Sequence, residues 1–196
     1  MIDLCQLAAV KALVGIEDEV TTEDATLTHI ITAVSAQLQR YLNRWIEATS
    51  YTEYFDVHDD AEVFSVHAYP ITALTSVKNA VDWTWSATSS ISTTYTNYNA
   101  HDGLVYVYGQ QLVEGYGALQ IVYTGGMAAN TDELVSGEYA DIALACEQQV
   151  IAVWRNKSAF GVGSAGGGNA TAQYNGVKLL DSVRDILDQH RRRIIV

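Results

Sequence analysis

Between Gln120 and Lys157 the sequence changes its hydrophobic period, and that change constrains the fold more than any other feature. Gln120-Ile121-Val122-Tyr123 reads as a strand, Thr124-Gly125-Gly126 as a turn, and residues 130–137 as a polar loop. Beyond it, Ile142, Ala145, Cys146, Gln149, Val150, Val153 and Trp154 recur at three- and four-residue spacing. That spacing gives a helix one apolar face wide enough to cover a sheet. Arg155 and Lys157 close its last turn, where cations complement the exposed carbonyls. This strand and helix are expected to form the centre of the core.

The segments before them order the fold class. Asp3 precedes Leu4, Leu7, Ala8, Val10 and Val14, a short helix over 3–14 with Asp3 as N-cap, ending near Gly15. Thr21-Thr22-Glu23-Asp24 opens a second helix over 22–45, with Leu27, Ile30, Ile31, Val34, Leu38, Tyr41, Leu42 and Trp45 on one stripe. The period then drops to two. Residues 50–57 and 63–69 alternate as strands with Asp59-Asp60 as the turn between them. Pro70, the one proline, falls at a strand end or edge because it lacks an amide donor. Residues 74–80 and 81–86 read as further short strands, and 88–96 as a Ser/Thr-rich loop. His101-Asp102-Gly103 is a tight turn leading into a strand at Leu104. Helices, then five or six strands within about 50–124, then a helix over 139–156, predict an α+β fold with a small, mostly antiparallel β region.

Past Lys157 the composition shifts. Residues 160–176 are glycine-rich and read as a flexible linker, so residues 1–159 form the core domain. Residues 177–196 carry a last amphipathic helix with Leu179, Leu180, Val183, Ile186, Leu187 and His190 on one face, then Arg191-Arg192-Arg193 and Ile194-Ile195-Val196. Periodicity alone allows two readings: a tethered docking arm, or a helix folded back on its own core.

Charge narrows the function. The chain carries −12 overall, but residues 155–196 hold seven Lys and Arg against three Asp, leaving −16 on the first 154 residues. An acidic body lacks the cations that phosphate contacts need, which argues against sequence-specific nucleic-acid binding. No apolar run approaches the roughly 20 residues of a membrane span, and Asp3 interrupts a secretory-type opening, so the reading is a chain made in a cytoplasm with no membrane partner. Cys5 and Cys146 are expected to be reduced and buried.

Catalytic and ligand motifs find little support. Gly161 to Gly166 spells G-x-G-x-x-G but follows a helix and runs into more glycine, so it lacks the strand-to-helix setting of a phosphate loop. His58-Asp59-Asp60 and His101-Asp102 could supply a base and its orienting carboxylate, yet no nucleophile elbow or metal-spaced histidine accompanies them. The expectation is no enzyme, no cofactor and no metal, with a small His/Asp hydrolase as the enzymatic alternative. Tyr95, Tyr98, Tyr106, Tyr108, Tyr116 and Tyr123 crowd the β region and are read as sheet packing and interface surface; a carbohydrate- or receptor-binding module is the other alternative.

Several motifs in order carry a resemblance: the acidic entry into the helix ending Tyr41-Leu42-Asn43-Arg44-Trp45; Tyr69-Pro70-Ile71 followed by Leu74-Thr75-Ser76-Val77-Lys78; Ile121-Val122-Tyr123-Thr124-Gly125-Gly126; and Val153-Trp154-Arg155-Asn156-Lys157. Over about residues 3–160 the chain resembles the head-tail connector (adaptor, head-completion) proteins of long-tailed bacteriophages. The segment 82–96 and the glycine-rich stretch are longer than that pattern. The resemblance implies a virion neck protein, a homo-oligomeric ring of about a dozen copies (a dodecamer) between portal and tail. Such a ring extends the channel for passing double-stranded DNA and presents a surface to a tail-side stopper or tail-terminator protein. It also implies that the C-terminal segment meets the portal protein, with Lys178, Arg184, Arg191, Arg192 and Arg193 as polar contacts and Ile194 and Ile195 as anchors. Asp56, Asp59, Asp60 and Glu62 are the candidate channel-facing acids, since negative walls keep DNA from sticking.

Overall fold

The computed structural model describes residues 2–58, 61–157, 164–167, 170–173 and 178–192. Arg193, Ile194, Ile195, Asp59, Asp60 and Gly161 to Gly163 lie outside the described residues. The class is α+β, as the order of periods predicts. The chain divides into two compact units, one of residues 43–130 with Arg192, the other of residues 2–42 with 131–191.

The first unit is built of six strands: β1 Thr49–Val57, β2 Val63–Ser65, β3 Ile71–Asn79, β4 Thr96–Asn99, β5 Leu104–Val107 and β6 Gly115–Gly125. They make two antiparallel sheets, ordered β1-β6-β3 and β2-β5-β4. The expected central strand is β6, which bonds on both edges and pairs Gln120 with Tyr54 on one side and Lys78 on the other. Val57, Phe64, Val66, Val77, Val105, Val107, Leu119, Ile121 and Tyr123 fill the core of this unit. Gly125 and Gly126 are fixed by close backbone approach. A Cβ on Gly125 would stand 2.5 Å from the Ala68 carbonyl oxygen, and one on Gly126, at φ 130°, 2.3 Å from that of Glu47.

Two local expectations are corrected here. Residues 50–57 and 63–69 do not form a hairpin through Asp59-Asp60, because β1 pairs with β6 and β2 with β5. Alternation tells which face a side chain takes, not which strand lies beside it. Residues 81–86 are not a strand either: Trp83 sits at φ 56°, and the segment turns back before two 3₁₀ turns at Ala87–Ser89 and Thr93–Tyr95. Pro70 stands immediately before β3, and Gly103, at φ 65°, makes the expected turn from β4 to β5.

The second unit holds α1 Leu7–Val14, α2 Asp24–Leu42, α3 Thr131–Ser136, α4 Ala140–Arg155 and α5 Asp181–His190. Gly15 at φ 76° ends α1 in the left-handed conformation, its N–H returning to Ala12 and Lys11 carbonyls. Asp3 does not cap α1, which starts after Gln6; its carbonyl accepts from Thr131 Oγ1 at 2.7 Å instead. Asn43, at φ 51°, stops α2 before Trp45, so the apolar stripe ends at Leu42. Leu27, Ile31, Val34, Leu38 and Leu42 of α2 are buried, as are Ile142, Ala145, Cys146 and Val150 of α4. Lys11 is buried too; Asp24, at 3.0 Å, neutralises it, and its ammonium donates to the Asp18 carbonyl at 2.7 Å. Cys5 and Cys146 are free and buried, with Ser35 Oγ 3.6 Å from the Cys146 sulfur. The thiol of Cys146, and then burial, push the Cys5 pKa up.

The last helix decides between the two readings that periodicity leaves open. Val183 and Leu187 of α5 are 0% exposed, and α5 packs against α4 and α2. Gln149, buried on the apolar face of α4, donates to the Lys178 carbonyl at 3.1 Å and accepts from the Leu180 N–H at 3.0 Å. The helical part of the expected docking arm is therefore part of the helical unit, held by burial worth about 1.5–3 kcal/mol per large side chain. Within the stretch read as a linker, Ser164–Gly167 (β7) pairs antiparallel with Ala170–Gln173 (β8). Composition alone misses a two-stranded ladder, because its hydrogen bonds are between backbones.

Candidate functional site

The basic side chains singled out by sequence lie on or after α5. Lys178 and Arg184 are exposed, the latter 3.5 Å from Asp181 one turn earlier. Arg191 places its guanidinium 5.0 Å from the Tyr41 ring centre, and Tyr41 donates to Asp188 at 2.7 Å. That hydrogen bond is the main cause raising the Tyr41 pKa. Arg192 is half-buried and donates to the Ser65 carbonyl at 2.6 Å and to its hydroxyl at 3.2 Å. His190 lies 2.6 Å from Asp141 and edge-on to Tyr139, which ties the end of α5 to the first turn of α4.

Of the two described candidate acids, one lies on β1 and the other just before β2. Asp56, on β1, accepts from the Gly117 N–H at 2.7 Å, so one carboxylate oxygen holds β1 to β6. Glu62 is exposed just before β2, and its carbonyl accepts from Val107 of β5.

Of the two His-Asp turns, only His101-Asp102 lies wholly within the described residues, and its backbone and carboxylate are held by Asn99. Asp102 accepts from Asn99 Nδ2 at 2.6 Å, and the His101 N–H donates to Asn99 Oδ1 at 3.1 Å, so Asn99 organises the turn. His58 is exposed and lies edge-on to Tyr116 at 5.5 Å. Among the described residues no three His, Cys, Asp and Glu side chains are grouped to hold a metal, and no helix is long and apolar enough to cross a membrane.

Two side-chain clusters in the β unit escape sequence reading. In the first, buried Glu53 accepts from the Tyr123 hydroxyl and, at 2.9 Å, from the His67 N–H, while its other oxygen lies 2.5 Å from His67 Nδ1. Burial, then the hydrogen bond to Glu53, raise the Tyr123 pKa. Trp45 stacks on His67 at 5.1 Å, and Arg44 spans the Tyr69 ring at 3.4 Å while donating to the Tyr69 carbonyl. This network locks β1, β6 and the segment before β3 together through the shared carboxylate of Glu53.

The second cluster is on the surface. Tyr54, Trp83, Trp85, Tyr116 and Gly117 line an open pocket of about 410 Å³ with almost wholly apolar walls. The Tyr54 and Trp85 rings are 5.5 Å apart, and Trp83 Nε1 donates to the Tyr116 carbonyl at 3.2 Å. Trp83 is 64% exposed, Tyr116 77% and Tyr54 55%, a grouping of large apolar side chains that a free surface seldom keeps. The loop carrying Trp83 and Trp85 is hung on the sheet: Lys78 Nζ donates to the Trp85 carbonyl at 3.0 Å and the Ile91 N–H donates to the Val77 carbonyl. The aromatic content is visible in the sequence, but only the left-handed turn at Trp83 gathers it.

Comparison with known proteins agrees with this architecture. Among solved structures, a chain from the neck of an empty GTA particle computed with C6 symmetry is similar with a TM-score of 0.64 and 12% identity, covering 98% of this chain and 92% of that one. A chain of the virion of a native gene transfer agent (GTA) particle gives 0.61 at 12% identity, covering 98% and 92%. One from the neck of a native GTA particle computed with C12 symmetry gives 0.60 at 12%, covering 88% and 85%. At that identity the three share the fold. No curated protein matches the sequence. A family model does, described as head completion protein and aligned over residues 3–193, so the chain belongs to the head completion protein family.

Proposed function

We propose that this chain, a structural head-tail connector protein of a tailed virion, works as one subunit of a ring in the neck, between portal and tail. The observation that carries the reading is the family match over residues 3–193, nearly the whole chain. Ring assembly is supported by the shared fold with chains of GTA necks computed with C6 and C12 symmetry. The acidic surface suits a wall past which DNA must slide without sticking, with Asp56, Asp59, Asp60 and Glu62 as its candidate lining.

In this reading the portal contact lies at the chain's basic end. With α5 anchored by Val183 and Leu187, docking falls to the exposed Lys178, Arg184 and Arg191 and to Arg192, Arg193, Ile194 and Ile195, not to a swinging helix. The opposite side of the ring offers its surface to the stopper or tail terminator. An enzyme role is disfavoured, because the chain matches a family of structural head completion proteins and the His101-Asp102 turn is organised by Asn99.

The test is cryo-electron microscopy of particles assembled with and without this chain. The expected result is ring density for the chain at the head-tail junction, and heads without tails when it is omitted. Tailed particles of normal appearance without the chain would overturn the reading. A second arm replaces Arg191, Arg192 and Arg193 by glutamate: heads that still retain the chain at wild-type occupancy would remove the portal role of the basic end.

A further inference from the structure

We propose that the β7–β8 hairpin of one copy of this chain adds to the open edge of β1 in the next copy, carrying the β1-β6-β3 sheet across the subunit boundary. The inference rests on the ring reading above and names the contact that joins the subunits.

The hairpin lacks what a stable ladder needs. Among the described residues, the backbones of β7 and β8 bond only to each other, four residues against four. A lone two-stranded ladder is marginally stable at best in water, and independent stability takes a third strand or a packed apolar face. The sequence supplies no such face: Ser164-Ala165-Gly166-Gly167 and Ala170-Thr171-Ala172-Gln173 contain no large apolar residue and no charge. What the hairpin presents for recognition is main chain, an outer row of N–H and C=O groups on each strand. Main chain is recognised by a sheet edge, through strand addition.

The β unit offers one long edge of that kind. Central β6 is bonded on both sides. The outer side of β3 is occupied: the Ile71 N–H donates to the Ala100 carbonyl, the Val77 carbonyl accepts from Ile91, and Lys78 bridges Ser90. Strand β2 has three residues, with its Ser65 carbonyl taken by Arg192, and β4 has four. Strand β1 has nine, and among the described residues its backbone bonds only to β6. Ser50, Thr52, Tyr54 and Asp56 along it are exposed. It contains neither proline nor lysine, the residues that commonly guard an edge against pairing. Such an edge on an abundant assembly protein fits a strand that is covered once the assembly forms.

The chain between the described segments is long enough for an exchange between copies. Lys157 and Ser164 are seven residues apart, and Gln173 and Lys178 five, which fully extended span up to about 24 Å and 17 Å. Hairpin and β1 edge both stand open within one chain, so the pairing that fills them joins two. It also joins unlike surfaces. A contact of that kind is heterologous, and repeated head to tail with a closing rotation it makes a ring.

The experiment uses assembled particles built from two single-cysteine chains. One, labelled with heavy isotopes, carries Thr52→Cys; the other carries Ser164→Cys or Ala165→Cys on β7, or Thr171→Cys or Ala172→Cys on β8, adjacent positions on a strand facing opposite ways. A short bismaleimide joins neighbouring thiols, while native Cys5 and Cys146 are buried. The expected product is a heavy-light dimer whose linked peptides are position 52 and the hairpin. Position 52 joined to position 52, or no heavy-light link from any of the four hairpin positions, would overturn the proposal. Particles that contain no copy of the chain would instead overturn the ring reading, so the two failures are distinct. As an independent arm, deletion of residues 164–173 is expected to leave the urea midpoint unchanged and to lower incorporation into particles by at least about tenfold, the effect of losing one net backbone hydrogen bond. Incorporation equal to wild type would overturn the hairpin's role; should the midpoint move as well, the cross-link decides.

Discussion

Leu187 distinguishes an anchored α5 from a swinging arm by a measurable energy. The side chain is 0% exposed, as is Val183 one turn before it, and both face α4 and α2. Leu187→Ala removes three carbon groups from a packed site, about 0.8 kcal/mol each by transfer. A cavity term adds to this, giving about 2–5 kcal/mol in total. Were α5 a tethered helix with no partner in its own chain, the same change would cost less than about 0.5 kcal/mol. Leu180→Ala, at a position 38% exposed, serves as the control and is expected to cost well under half as much. Urea unfolding followed by far-UV circular dichroism measures both, comparing midpoints at constant slope. A Leu187→Ala midpoint indistinguishable from wild type would refute the anchored helix and restore the free arm.

Other expected outcomes follow from the described contacts. Gln149→Leu leaves the Lys178 carbonyl and the Leu180 N–H without their partner and is expected to cost about 1–3 kcal/mol, with faster amide exchange at Leu180 as the local readout. Glu53→Ala strips the acceptor from Tyr123 and His67 inside the β unit and should destabilise by about 2–4 kcal/mol in the same denaturation assay; a loss below 0.5 kcal/mol would contradict the network. Because the folded Tyr123 pKa is raised, the folded state keeps a proton that the unfolded state loses above the ordinary tyrosine pKa of 10.0. Stability is thus expected to be unaffected by this group below about pH 10 and to fall by about 1.4 kcal/mol per pH unit above it, with Tyr123→Phe removing that slope. Gly126→Ala, at φ 130° with the Glu47 carbonyl oxygen 2.3 Å from the new Cβ, should cost at least about 2 kcal/mol or abolish soluble expression. Native protein should leave Cys5 and Cys146 unreacted with a thiol reagent, and both should react on unfolding.

The parts of the fold legible in sequence are those set by local periodicity. β6 and α4 emerge where the alternation and the three-to-four spacing lie, because burial of one face imposes those patterns. The ends of α1 and of the β4-β5 turn were readable from Gly15 and Gly103, whose left-handed conformations are local properties. Strand neighbours were not: Thr49 pairs with Gly125 across most of the β unit, and no local signal specifies so distant a partner. Residues 81–86 alternate like a strand, yet Trp83 turns left-handed and its ring joins a surface, so a segment read as strand is an exposed turn. The Glu53–His67–Tyr123 network was hidden for the same reason, since its members come from three separate segments. For the candidate site, basic residue types were visible, but whether α5 carried them loose or fixed depended on two buried side chains.

The loop that supplies Trp83 and Trp85 is suspended from the sheet chiefly by main-chain groups and by Lys78, and it contributes little beyond Ile91 to the interior. Its outward residues can accordingly be exchanged, lengthened or shortened with small effect on the barrier to unfolding. The surface there can vary while the scaffold beneath keeps the same register, as a joiner recuts a tenon without touching the beam.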